Sequence, residues 1–130
     1  MQLAEITNGL EYIGDRIATG MVTSAMKRID EEVNVSAQTA EVLSGYHTQV
    51  ADTLDLAMKA VVKQNAELAR EVKKRKKDTS RMSRSIAAHG LDRLTADEPN
   101  RLKTYAREME VMELLDGIFV ASRRIAKTQE

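Results

Sequence analysis

The chain contains no cysteine, and aromatic residues make up only 3% of its 130 residues. Disulfides, thiol nucleophiles and cysteine-ligated zinc are thereby excluded, and any core must be built mainly from aliphatic side chains. One proline and six glycines leave few points at which a helix would be interrupted. Net charge is absent too, since 20 basic residues balance 20 acidic ones. A general nucleic-acid binder carries a basic excess, so nucleic acid is not an expected partner. No apolar run approaches the ~18 residues of a membrane span. The opening Met1-Gln2-Leu3-Ala4-Glu5 lacks the basic and apolar regions of a signal peptide. These absences predict a soluble chain, one that begins already in a helical pattern, as a piece of a longer protein would.

What is present is 42% hydrophobic and 31% charged residues, a mixture rich in Ala, Glu, Lys, Leu and Arg that suits long helices. The length suits one domain spanning residues 1–130. Leu3, Ile6, Leu10, Ile13 and Ile17 are spaced as one helical stripe, continued by Met21 and Ile29, which predicts a first helix over residues 3–31. Asn34 and Ser36 are candidate caps for a second helix carrying Leu43, Tyr46, Val50, Thr53, Ala57 and Val61. Gln64-Asn65 breaks the pattern, with Asn65 as an N-cap. A third helix then carries Leu68, Val72, Arg75, Thr79, Met82, Ile86 and His89 to about residue 94. Thr95 to Pro99 reads as a turn into a fourth helix with Leu102, Tyr105, Met109, Met112, Asp116 and Phe119 on one stripe. No convincing β alternation occurs. The prediction is an all-α, antiparallel up-down bundle of four long helices. The runner-up is a three-helix bundle with the remaining helix projecting or paired in a dimer.

Few residues suggest chemistry. Glu11 and Asp15 are one turn apart, so they share a helix face pointing away from the apolar stripe. Such a pair can hold a hard cation or can simply be a solvated surface. Asp116 falls on the apolar stripe of the fourth helix, where a carboxylate needs a partner. Arg75 is the candidate partner, and a role for Asp116 in metal binding is the lesser alternative. His47 and His89 lack a second ligand at metal spacing, no Ser-His-Asp set or Gly-rich phosphate loop is present, and no enzyme is expected. Lys73, Lys74, Arg75, Lys76 and Lys77, with Arg81 and Arg84, form a basic stretch. It reads as a solvated face paired with acids such as Asp30, Glu31 and Glu32, or as a surface contacting an anionic membrane. The breadth of the second helix's stripe, with Leu54, Met58 and Val62, leaves room for a homodimer.

Leu10-Glu11-Tyr12-Ile13-Gly14-Asp15-Arg16-Ile17 resembles the acidic helix of PhoU-like domains. His89-Gly90-Leu91-Asp92-Arg93-Leu94 and Arg124-Ile125-Ala126 resemble elements in the C-terminal domain of bacterial sodium/phosphate cotransporters. The resemblance implies a PhoU-like helical bundle at the cytoplasmic face of the cell membrane with a part in controlling phosphate uptake. It implies a divalent or ferric ion at Glu11 and Asp15. In the second acidic motif Asp116 stands for the Glu and Val120 replaces the Asp. Implied partners are the membrane portion of the same transporter or a signalling protein. A free-standing helical adaptor or a dimeric structural bundle is the alternative.

Overall fold

The computed structural model describes residues 2–33, 35–94 and 101–130. The expected cap at residue 34 and the 95–99 turn lie outside them. Helices α1 (Gln2–Asp15) and α2 (Val22–Asp30) are joined by a π-helical stretch, Arg16–Met21, into a first rod. Then follow α3 (Ala37–Lys63), α4 (Ala66–Lys74), α5 (Lys76–Leu94) and α6 (Arg101–Lys127). With α4 and α5 forming one interrupted rod, this is the all-α, four-helix bundle that the periodicity predicts.

Local chemistry sets the boundaries. Ser36 caps α3 by accepting from the Thr39 amide at 3.2 Å and donates its hydroxyl to Thr39 Oγ1 at 2.9 Å. α3 stops where Gln64 turns left-handed, φ 48°. Asn65 Oδ1 then accepts from the amides of Glu67 and Leu68 at 2.8 and 3.1 Å, starting α4. Two residues between long helices force them antiparallel. The third rod is not continuous as expected: α4 ends at Arg75, whose amide turns back to the Val72 carbonyl at 3.1 Å before α5 begins.

α6 is the centre of the bundle and packs against α1, α3, α4 and α5. Its buried line includes Arg101, Thr104, Glu108, Leu115, Ile118, Phe119, Ile125 and Ala126. The stripe expected from the sequence is thus displaced. Leu102, its first member, is 76% exposed. A central helix buries more than one face, so apolar spacing alone does not locate its inward side. Tyr46, Val50, Ala57 and Ala60 of α3, Ala69 and Val72 of α4, Ile86 of α5 and Ile13 of α1 complete the core. It is aliphatic apart from Tyr46 and Phe119.

The first rod departs furthest from expectation. Of its predicted stripe Ile13 is buried and Ile6 and Met21 pack half-buried against the core, while Leu3 and Ile29 are 75% and 71% exposed. A π turn, with its i→i+5 bonding, inserts an extra residue and shifts the register. Here it lies where Gly20 meets Leu114 of α6, a side chain 2.5 Å from where a Cβ would stand. Beyond it Ser24 is the buried residue of α2. Val22, Met26 and Ile29, spaced four and three, form an exposed apolar line. Leu3, Leu10 and Ile17 form a second line on α1 and the π stretch at heptad spacing. Among the described residues no helix is long and apolar enough to cross a membrane.

Candidate functional site

The acidic motif of α1 sorts its side chains by face. Ile13 enters the core. Tyr12 and Arg16 lie over Gly117 of α6, where the missing side chain leaves room for both. The Arg16 guanidinium stacks on the Tyr12 ring at 4.7 Å from its centroid. With this inward set fixed, Glu11 and Asp15 are left exposed on the opposite side. No group of three or more His, Asp or Glu gathers to hold a metal among the described residues. Glu11 and Asp15 thus offer two exposed carboxylates one helical turn apart, the kind of ligand pair through which a hydrated hard cation is held.

Asp116 is half-buried on α6, and its partners are not the expected arginine. The Tyr46 hydroxyl of α3 donates to Oδ1, and the Ser83 hydroxyl of α5 lies 3.1 and 3.3 Å from Oδ1 and Oδ2. One carboxylate thus ties three helices together. The Tyr46 phenol is held well above its ordinary range, first by burial and then by the adjacent carboxylate. Sequence reasoning placed Tyr46 on a core stripe, which is correct, but nothing in the spacing joined it to Asp116.

A second polar layer lies nearer the start of α6. The Glu108 residue is 2% exposed, and its Oε1 has no hydrogen-bond partner among the described residues. Burial raises its pKa, against the lowering influence of Arg101, Arg93 and His89. His89 Nε2 lies 3.1 Å from Thr39 Oγ1, a structural contact, and His47 is exposed. The Glu108 side chain also lines a groove of about 380 Å³ with Met21, Arg28, His47 and Leu115. A raised carboxyl favours the protonated folded state. Its stabilising effect is complete below the unfolded value near 4.5 and is lost as pH rises through the folded pKa. Glu108→Gln, which keeps the shape without the charge, is expected to stabilise the fold at pH 8 by about 1 kcal/mol. That advantage should vanish below pH 4. Urea unfolding at both pH values checks it, and an equal effect at both would sink the assignment.

The basic stretch is resolved into paired and unpaired members. Lys74 pairs with Glu71 at 3.1 Å, and Arg81 with Asp78 at 3.5 Å, both within one helix turn. The acids expected opposite them are engaged elsewhere or exposed: Glu31 lies 3.8 Å from Arg107 of α6. Lys76 and Arg84 of α5 instead share a groove of about 330 Å³ with Arg123 of α6, Ser80, Ser83 and Asp116. Arg123 also lines a second cleft with Lys73, Lys127 and Glu130. The arrival of α6 cations on this face was not legible from the α4–α5 sequence.

The family model described as the PhoU domain matches residues 43–127, about two thirds of the chain. The matched stretch includes Tyr46, Ser83, Glu108 and Asp116, and Glu11 and Asp15 precede it. No curated protein and no solved structure matches the chain.

Proposed function

Because the chain belongs to the PhoU domain family, a phosphate-related regulatory class, we propose that it is the cytoplasmic C-terminal regulatory part of a sodium/phosphate cotransporter. In this reading residues 1–130 form one PhoU-like bundle. The observation that carries it is the outward apolar face of the first rod. Met26 is 60% exposed between Val22 and Ile29 on α2, and Leu3, Leu10 and Ile17 line α1 and the π stretch. Exposed apolar lines of this kind suit a contact face, which the membrane portion of the transporter would cover. The resemblance of Leu10 to Ile17 and of the 89–94 and 124–126 segments to cotransporter tails supports the same reading.

Glu11 and Asp15 add a means of control. A divalent or ferric ion held there would sit on the exposed side of the same rod, completing its shell with water. The two carboxylates would bind and orient it, and the ion would supply a positive charge beside the contact face. Metal titration by calorimetry is expected to show stoichiometric binding that is lost in Glu11→Gln/Asp15→Asn. Phosphate uptake by the full transporter should respond both to this pair and to Val22→Glu/Met26→Glu. Uptake indifferent to deletion of the whole domain would sink the transporter reading. The exposed line on α2 also favours a second reading, a homodimeric adaptor, which sedimentation equilibrium would reveal as a dimer abolished by Met26→Glu.

A further inference from the structure

We propose that the groove between α5 and α6, lined by Lys76, Ser80, Arg84 and Arg123, is a binding site for a phosphate-type oxyanion. Four observations carry it. First, cations from two helices converge: Lys76 and Arg84 project from α5, Arg123 from α6, into one concavity of about 330 Å³. A solvated helix face would instead spread its charges.

Second, these three cations make no ion pair among the described residues. The neighbouring exposed cations Lys74 and Arg81 do, with Glu71 and Asp78. The intrahelical neutralisation that Lys74 and Arg81 have is thus not made by Lys76, Arg84 or Arg123. Third, the one carboxylate in the groove, Asp116, is already occupied by the Tyr46 and Ser83 hydroxyls. It reduces the charge of the lining to a net +2 without closing the site. Fourth, Ser80 is half-buried, and its hydroxyl makes no hydrogen bond among the described residues. It lines the groove together with Arg84 and Arg123.

Guanidinium pairs that present parallel N–H donors recognise tetrahedral oxyanions, and a lysine adds a compact point charge. Phe119 and Val120 form the apolar wall of the groove, which lowers the local dielectric and strengthens the attraction. The half-buried position of Arg123 argues for a seated group over loose contact with a charged plane. The shared chemistry is a phosphate or phosphate monoester, and its source is either the free ion or a lipid headgroup. The inference stands apart from the transporter reading, since it uses no residue of the first rod.

The test is nuclear magnetic resonance titration of the intact chain with inorganic phosphate, paired with flotation on two kinds of vesicle. One kind carries phosphatidic acid, a monoester, and the other carries phosphatidylglycerol, a diester, at matched surface charge. Saturable shifts of α5 and α6 amides, weakened about tenfold by Arg123→Gln and by Arg84→Gln, are the expected result for the free ion. Flotation on phosphatidic acid alone, with the same dependence on Arg84 and Arg123, would support the headgroup source. Lys59→Gln, which removes a cation paired with Asp55 on α3, should change neither. Asp116→Asn, which removes the opposing charge, should tighten binding several-fold. Arg84 is exposed, so its variant keeps the test informative should Arg123→Gln unfold. Absence of binding to any of the three probes overturns the site. So does equal binding to both vesicles that survives Arg84→Gln/Arg123→Gln.

Discussion

Replacing Asp116 with leucine is expected to cost about 3 kcal/mol of folding stability, the largest loss from any single polar change in this bundle. The reason is the partner left behind. Tyr46 is 1% exposed, so its hydroxyl cannot turn to water when the carboxylate is gone; it and Ser83 both lose their shared acceptor, and buried polar groups short of partners carry much of their desolvation cost. Tyr46→Phe removes the donor and leaves Asp116, half-buried, with Ser83 and solvent. Its cost should be smaller, about 2 kcal/mol. The double variant removes both members of the pair and should be less destabilised than Asp116→Leu alone. Chemical unfolding followed by circular dichroism gives all three values. An Asp116→Leu variant within about 0.5 kcal/mol of the parent would show that the three-helix tie contributes nothing.

The second large effect is steric. Gly9 on α1 lies so close to α6 that a Cβ would stand 2.8 Å from Ile125 Cγ1 and 3.0 Å from its Cδ1. Ile125 is fully buried and cannot move aside. Gly9→Val should therefore push α1 from α6 and cost about 2–3 kcal/mol, the usual range for overpacking. Gly14, five residues on, has nothing within 4 Å of its Cβ position. There helix propensity acts alone, and Gly14→Ala should stabilise by up to about 1 kcal/mol. Thermal melts of the pair test the seam, because helix propensity by itself would make any glycine replacement favourable or mild. A Gly9→Val protein as stable as the parent would mean that α1 does not pack as described.

Much of the fold could be read before the structure was known, and the reasons are local. Ser36 and Asn65 are capping side chains followed by helical periodicity, and both cap. The break at Gln64-Asn65 is a composition break, and the chain turns there. What escaped sequence reasoning depends on neighbours distant in the chain. Glu108 resembles any surface glutamate until α3 and α5 close around α6. Asp116 was identified as a carboxylate in need of a partner, but the partner was sought among cations. Tyr46 and Ser83 answer instead, because a half-buried carboxylate can be satisfied by hydroxyl donors. In the first rod Ile6, Ile13 and Met21 of the stripe meet the bundle and Leu3, Leu10, Ile17 and Ile29 do not, because a stripe of apolar residues records spacing and not which side faces inward. The outward orientation of Glu11 and Asp15 was legible from the same spacing, since Ile13 fixes the opposite side.

The wide turn at Arg16–Met21 gives the two halves of the first rod separate phases. In an uninterrupted α-helix every inward residue constrains all the others through one fixed rotation per residue. Here the π turn shifts that rotation once, so the half that stacks Tyr12 and Arg16 over Gly117 and the half that displays Val22, Met26 and Ile29 stand in different phases. Mutational drift can therefore recompose the outer line of α2, and with it the identity of whatever docks there, while the packing of α1 and its carboxylate pair stay unaltered.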